Sequence, residues 1–290
     1  MIFESVFEEL DWAYAQNTLR AYRNDLNRFI DWLMTHDQDP TEASHLDLIH
    51  YLENGCHTLC SASIQRTVAA IGTIYHYAEL NDPTKHPKVK LTLRKLNRTK
   101  GNLQKQARPL TQGLLSKLLE HCDLNTVRGL RDAVLLNLGY ETMRRRSELV
   151  NFRFDDLRIS ASGENGILLR HSKTDQNGHG RVIPISHKLT DQLDKWQLRV
   201  QDSGYILRNI NRAEAIGEKL SGESINRILK RLEKEAGSQD SKLSGHSFRV
   251  GRTIELVGSG CSTAQIALLG GWKSEKIVMR YSEAWAHKSG

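Results

Sequence analysis

Four short patches in the second half of the 290-residue chain hold side chains suited to work on a phosphate ester. In Thr142-Met143-Arg144-Arg145-Arg146-Ser147-Glu148-Leu149, three consecutive arginines close an apolar helix. Spread around a helix end or turn, at least one of them should point inward, and Glu148 stands three residues from Arg145, close enough to orient its guanidinium. Lys173 falls near the tip of a polar turn, Ser172 to Gly180. In Gly245-His246-Ser247-Phe248-Arg249-Val250-Gly251, His246 and Arg249 share a helix face and Gly245 leaves room for a close approach. Gly270-Gly271-Trp272 is followed nine residues later by Tyr281. Taken singly, each patch has a plain reading: a surface charge cluster, a solvated lysine, a chance His-x-x-Arg, aromatic core packing.

Their order is what carries weight. The chain reads S-G-H-S-x-R-V-G from Ser244, then G-x-S-x-x-x-I from Gly260, then G-G-W-x-x-x-x-I-V-M-x-Y ending at Tyr281. With T-x-x-R-x-x-E-L at Thr142 and the turn Ser172-Lys173-Thr174, this set resembles the tyrosine recombinase (phage integrase) family, most closely its Cre-like members. Cre-like members carry tryptophan where many relatives have histidine, as Trp272 does here. Arg144 and Arg146 flank the matched arginine, and the Thr-x-x-Arg and Arg-x-x-Glu spacings both select Arg145.

The resemblance implies a DNA strand transferase that forms a 3′-phosphotyrosyl bond and leaves a free 5′-hydroxyl. The residues fit that chemistry on their own terms. A phenol has an ordinary pKa of about 10 and needs help to lose its proton. Arg145 and Arg249 are expected to clamp the non-bridging oxygens bidentately. Trp272, a donor only, is expected to offer its indole N–H to the phosphate while its ring packs the pocket. Lys173, held among cations, would protonate the leaving oxygen. His246 assists proton transfer, Glu148 supports Arg145, and Tyr281 is the nucleophile. The phosphodiester energy is conserved, so no cofactor and no metal are expected.

The elements that must position these groups are mostly helical. Leu19, Tyr22, Leu26, Phe29, Ile30 and Leu33 make an apolar stripe over 18–34, with Asn17 as a plausible N-cap, and shorter and longer helices follow over 44–53 and 63–80. Thr126 to Thr142 is a long apolar helix. Residues 166–170 and 181–185 are short β-like runs flanking the Lys173 turn, a hairpin, and helices return over 188–201, 222–236, 246–258, 263–269 and 274–284. The expected fold is mainly α (α+β). An N-terminal helical core-binding (SAM-like) domain spans 1–96 and a basic linker 97–108. A mostly helical catalytic domain with a small antiparallel sheet spans 109–290.

Composition agrees. A hydrophobic share of 39% with 26% charged residues describes a globular chain. No stretch approaches the roughly 20 apolar residues of a membrane span, and no signal peptide is evident, so the expected location is cytoplasmic, at the nucleoid when DNA is bound. The four cysteines, Cys56, Cys60, Cys122 and Cys261, read as reduced side chains and not as a zinc site. Net charge is +7, and nine basic residues with no acidic one lie between Lys85 and Arg108. That run points to a polyanionic partner. Lys95, Arg98, Lys100, Lys105 and Arg108, with Arg227 and Lys230 on helix 222–236, are the candidates for DNA contact.

The partners implied are double-stranded DNA, three further copies of the chain in a tetramer working through a Holliday junction, and accessory DNA-binding proteins. Nine residues follow Tyr281, and among them Trp285 is read either as an anchor on a neighbouring subunit or as packing on its own domain. Competing readings are a type IB topoisomerase-like or hairpin-resolving enzyme, a non-catalytic DNA-binding regulator on the same fold, and a general nucleic-acid-binding module. The last explains the basic run but not the ordered set.

Overall fold

A computed structural model describes residues 2–100, 106–171, 180–201, 203–238 and 242–286. The chain divides into two compact units at Lys105–Gln106, each with its own core.

The first unit is helical. α1 (Ile2–Glu9), α2 (Gln16–Met34), α3 (His45–His50), α4 (Ser61–Tyr77) and α5 (Pro87–Lys100) surround Leu26, Phe29, Leu33, Leu52, Ile71, Ile74 and Val89. α3 opens on a reciprocal cap between Ser44 and Asp47 and runs on as a π-helical turn, Tyr51–Gly55. α2 starts two residues earlier than its sequence suggests, at the extended residue Ala15, so Asn17 lies inside the first turn and is not the cap. Part of the basic run is helical. Lys88 to Lys100 belong to α5, which buries Val89 and Thr92 and leaves Lys88, Lys90, Arg94, Lys95 and Arg98 exposed.

In the second unit α6 (Gln112–Glu120) and α7 (Val127–Thr142) lead to the short α8 (Arg146–Leu149). Three strands follow, β1 (Leu157–Ile159), β2 (Asn165–Leu169) and β3 (Arg181–Pro184), in the antiparallel order β1-β2-β3. Ile167 pairs with Leu157 on one side and Ile183 on the other. The expected hairpin is β2–β3, and β1 is an added edge strand that three residues of sequence are too short to announce. α9 (His187–Val200), α10 (Gly222–Glu235), α11 (Gly245–Gly258), α12 (Thr263–Gly270) and α13 (Lys276–Ala286) complete the unit.

α7 is the axis of this core. It is buried on nearly all sides, against Trp196 of α9 and Phe248 of α11 among others. Two glycines bring α11 close to its neighbours. A Cβ on Gly139 of α7 would meet the Phe248 ring at 2.7 Å, and one on Gly251 would lie 1.8 Å from the Leu110 carbonyl oxygen. Leu110 in turn donates its N–H to the Ser247 carbonyl at 3.0 Å. The backbone leading into α6 is therefore strapped across the helix that carries His246 and Arg249. Since backbone cannot yield as a side chain does, Gly251→Ala is expected to destabilise this unit by about 3 kcal/mol, the upper end of overpacking costs. Urea unfolding should show a clearly lower midpoint, and an unchanged midpoint would contradict the strap.

Candidate active site

The arginine patch owes its geometry to one residue. α7 ends at Met143, in the left-handed region with φ 54°, where the chain reverses and throws successive arginines in different directions. Arg144 turns inward and is only 2% exposed, which is the inward-pointing member of the triplet that the sequence demanded. Arg145 stands at the N-cap position of α8 in extended conformation and faces partly outward, while Arg146 is exposed. Glu148 brackets Arg145: its Oε2 accepts the Arg145 backbone N–H at 3.0 Å and its Oε1 accepts from Nη1 at 2.7 Å. Glu148 is buried, so this bracket leaves little freedom to the guanidinium it holds.

His246 and Arg249 lie in the first two turns of α11, whose start is fixed by reciprocal bonding between Ser244 and Ser247 and by Asn226 Oδ1, which accepts the Gly245 N–H at 2.9 Å. Arg249 is 1% exposed. Its Nη1 donates to the Met143 carbonyl, tying α11 to the end of α7. Its Nη2 is buried and has no hydrogen-bond partner among the described residues. A buried donor left unsatisfied costs on the order of 1–3 kcal/mol, more for a charged group, so this atom is a strong attractor for an acceptor. Burial pulls the Arg249 guanidinium down to about 10, and the like charges of Arg144 and Arg145 add to that.

α13 presents Tyr281 to this cluster. Its hydroxyl lies 2.7 Å from His246 Nε2, which accepts the phenol hydrogen bond when the neutral imidazole carries its proton on Nδ1. Burial first, and then the charges of Arg249 and Arg145, hold His246 below its ordinary pKa, which keeps it neutral near pH 7. Tyr281 is pushed up by burial while Arg249, Arg280 and Arg145 pull it back. The three groups form one electrostatic unit: a phenol, a neutral acceptor within hydrogen-bond reach, and cations that favour phenolate.

Trp272 packs its ring against two members of this cluster. The Arg249 guanidinium stacks on its ring, 4.3 Å from the centroid, and its edge meets Tyr281 with centroids 5.7 Å apart. Lys173 lies outside the described residues, as do Lys105 and the side chain of Trp285.

Of the remaining candidates for DNA contact, Arg98 is exposed on α5, and Arg227 and Lys230 are exposed on α10. Lys95 pairs with Glu53 at 2.9 Å. Two others are engaged in the fold. Lys100 caps the turn after the π-helical segment, donating to the carbonyls of Cys56, His57 and Leu59. Arg108 pairs at 2.7 Å with Glu233, a fully buried carboxylate that also accepts the Leu243 N–H. Arg66 is bonded through Nε to buried Asp25 at 2.7 Å. The sequence also held no sign of Arg181, whose Nη1 donates to the Leu268 carbonyl at the end of α12.

Among the described residues no helix is long and apolar enough to cross a membrane. The phage integrase family model matches residues 108–287, and the phage integrase N-terminal SAM-like domain matches residues 9–81. An integrase/recombinase xerD homolog of Selenomonas ruminantium is 30% identical over 285 residues, spanning 94% of this chain and 83% of that protein. Recombinase cre of Escherichia phage P1 is 22% identical over 293 residues, spanning 93% of this chain and 84% of that protein. A lambda integrase tetramer solved on a Holliday junction shares the fold, with a TM-score of 0.65 at 16% identity over 97% of this chain and 76% of that one. A mostly helical chain with this pocket, matched along both of its units, belongs to the phage integrase family of tyrosine recombinases.

Proposed function

We propose that this chain cuts and rejoins duplex DNA at a specific site, with Tyr281 as nucleophile and Arg145 and Arg249 as the phosphate clamp. The observation that carries this reading is the 2.7 Å contact between the Tyr281 hydroxyl and His246 Nε2, beside a buried Arg249 Nη2 that has no partner among the described residues. Tyr281 Oη attacks phosphorus and passes its proton to His246. The new Oη–P bond forms as the bond to the 5′-oxygen breaks, and Lys173 supplies the proton that oxygen needs. The reverse steps, with the 5′-hydroxyl of another strand, rejoin the DNA. Charge growing on the non-bridging oxygens meets guanidinium groups already in place, which is electrostatic stabilisation without reorganisation. Trp272 walls the pocket and orients Arg249 by stacking.

The domain assignment of 1–96, 97–108 and 109–290 belongs to the same proposal, with α5 carrying part of the basic segment. By analogy with the lambda integrase tetramer, four copies act together through a Holliday junction. Arg98, Arg227 and Lys230 are exposed and serve phosphate contact, which makes binding fall steeply with salt.

Incubation with a nicked suicide duplex should give a covalent adduct that maps to Tyr281, with undiminished yield in a chelator; Tyr281→Phe should give none. An adduct elsewhere, or equal yield from the phenylalanine variant, would refute the nucleophile assignment. The pH dependence gives a second test. Cleavage needs neutral His246, whose pKa is depressed by burial, Arg249 and Arg145, so the acid limb of the rate profile should lie below pH 6.5. Arg145→Ala removes one of the cations that disfavour the imidazolium, so His246 should protonate more readily. The acid limb of the residual activity should then move to higher pH, and a move to lower pH would contradict this origin of the shift.

A further inference from the structure

Arg144 is an unusual occupant of its position. It is 2% exposed and follows Met143, a member of the apolar cluster of Met143, Leu256, Ile266, Ala267 and Val278. An apolar side chain would fill such a space without the several kcal/mol that burying an ion costs. What the arginine does there is satisfy backbone. Its Nε donates to the Thr142 carbonyl at 2.6 Å, and its Nη2 donates to the Leu269 carbonyl.

Those two carbonyls belong to the ends of two helices. Thr142 closes α7, one residue before the reversal at Met143. Leu269 stands in the last turn of α12, immediately ahead of Gly270-Gly271-Trp272. The last carbonyls of a helix lack intrahelical partners and carry the negative end of its dipole, so a cation is well placed there. Arg181 from β3 takes the neighbouring Leu268 carbonyl, so α12 ends on two guanidinium groups from different elements. The fit is close on the other side as well. Gly271 has φ 65°, and a Cβ built there would lie 2.9 Å from Arg144 Nη1.

We infer that Arg144 is a positioning residue for strand cleavage: it ties the end of α12 to the end of α7 and so fixes the turn from which Trp272 stacks on Arg249 and α13 delivers Tyr281. The inference rests on the reading of Tyr281 as nucleophile and Arg249 as phosphate clamp. Arg144 reaches the reaction through others, since its own hydrogen bonds end on backbone carbonyls. A second consequence follows from its charge. Arg144 stands foremost among the cations that pull Arg249 down, which sharpens the demand of Arg249 for an anion.

The test is single-turnover cleavage of a nicked suicide duplex by the full chain, with rate and half-saturating DNA concentration measured separately. Misplacement of reacting groups by about 1 Å costs on the order of 100-fold in rate. Arg144→Leu should therefore cleave roughly 100-fold more slowly at saturating DNA while half-saturation stays within about twofold of the wild type. Arg144→Lys keeps the charge and can reach one carbonyl, so it should recover at least about tenfold of that loss. Thermal unfolding shows whether each variant is folded at the assay temperature. If Arg144→Leu is not, Arg144→Met stands in for it, because it keeps an unbranched side chain of similar reach and removes the donors to both carbonyls; the same loss of rate with unchanged half-saturation is expected. A folded Arg144→Leu, or in its place Arg144→Met, that cleaves within threefold of the wild-type rate would overturn the inference. So would a loss confined to DNA affinity, or a lysine variant no faster than leucine. Failure of the wild type to form an adduct at Tyr281 would instead overturn the reading of the site itself.

Discussion

Like charges gathered around a buried phenol are the constraint on which the second unit is organised. At an effective dielectric of about 20, two unit charges held about 4 Å apart repel by about 4 kcal/mol, and each buried ion loses hydration besides. Arg144 and Arg249 both bear this cost, and both guanidinium groups are pulled down to about 10 by burial, with neighbouring arginines adding to the effect. The fold offsets part of it with Glu148 and with the carbonyls of Thr142, Met143 and Leu269. The remainder is left for an anion, and the buried Nη2 of Arg249 marks where that deficit is greatest.

Every element around the pocket serves that arrangement. The left-handed residue Met143 separates the directions of Arg144 and Arg145 and offers its own carbonyl to Arg249. α11 supplies His246 and Arg249 from adjacent turns and is held close by Leu110 through Gly251. α12 and α13 deliver Trp272 and Tyr281, which cover Arg249 and bring the phenol to His246. Burial alone would hold the Tyr281 phenol in its protonated form by raising its pKa; the arginines that need an anion are the same groups that oppose this rise. On the proposed reading of the site, substrate recognition and nucleophile activation draw on one field.

How much of this could be read from the amino-acid order depends on which interactions are local. His246 and Arg249 were readable because three residues on a helix fix a shared face. The β2–β3 hairpin is readable from two short β-like runs around a polar turn. α5 was obscured because its charge dominates its composition, although Val89, Leu93 and Leu96 follow a helical spacing and pack toward the core of the first unit. The direction of Arg144 depends on a left-handed methionine, a conformation that no local propensity announces. The stacking of Trp272 on Arg249 and the engagement of Lys100 and Arg108 within the fold depend on tertiary neighbours 23 or more residues away in sequence, such as Glu233 for Arg108. Lone basic residues in a cationic run therefore looked alike in sequence and turn out to have different work.

The central claim is that the pocket around Tyr281 is short of one anion and that His246 feels the deficit. Titration of the His246 ring by NMR, first in the free protein and then with a duplex carrying the target phosphate bound to Tyr281→Phe, tests this most directly. The account predicts a pKa below 6.5 in the free protein, because burial, Arg249 and Arg145 all disfavour the imidazolium, and a rise when the phosphate cancels the arginine field. A free-protein value at or above 6.5, or a value that does not respond to the bound phosphate, would contradict it.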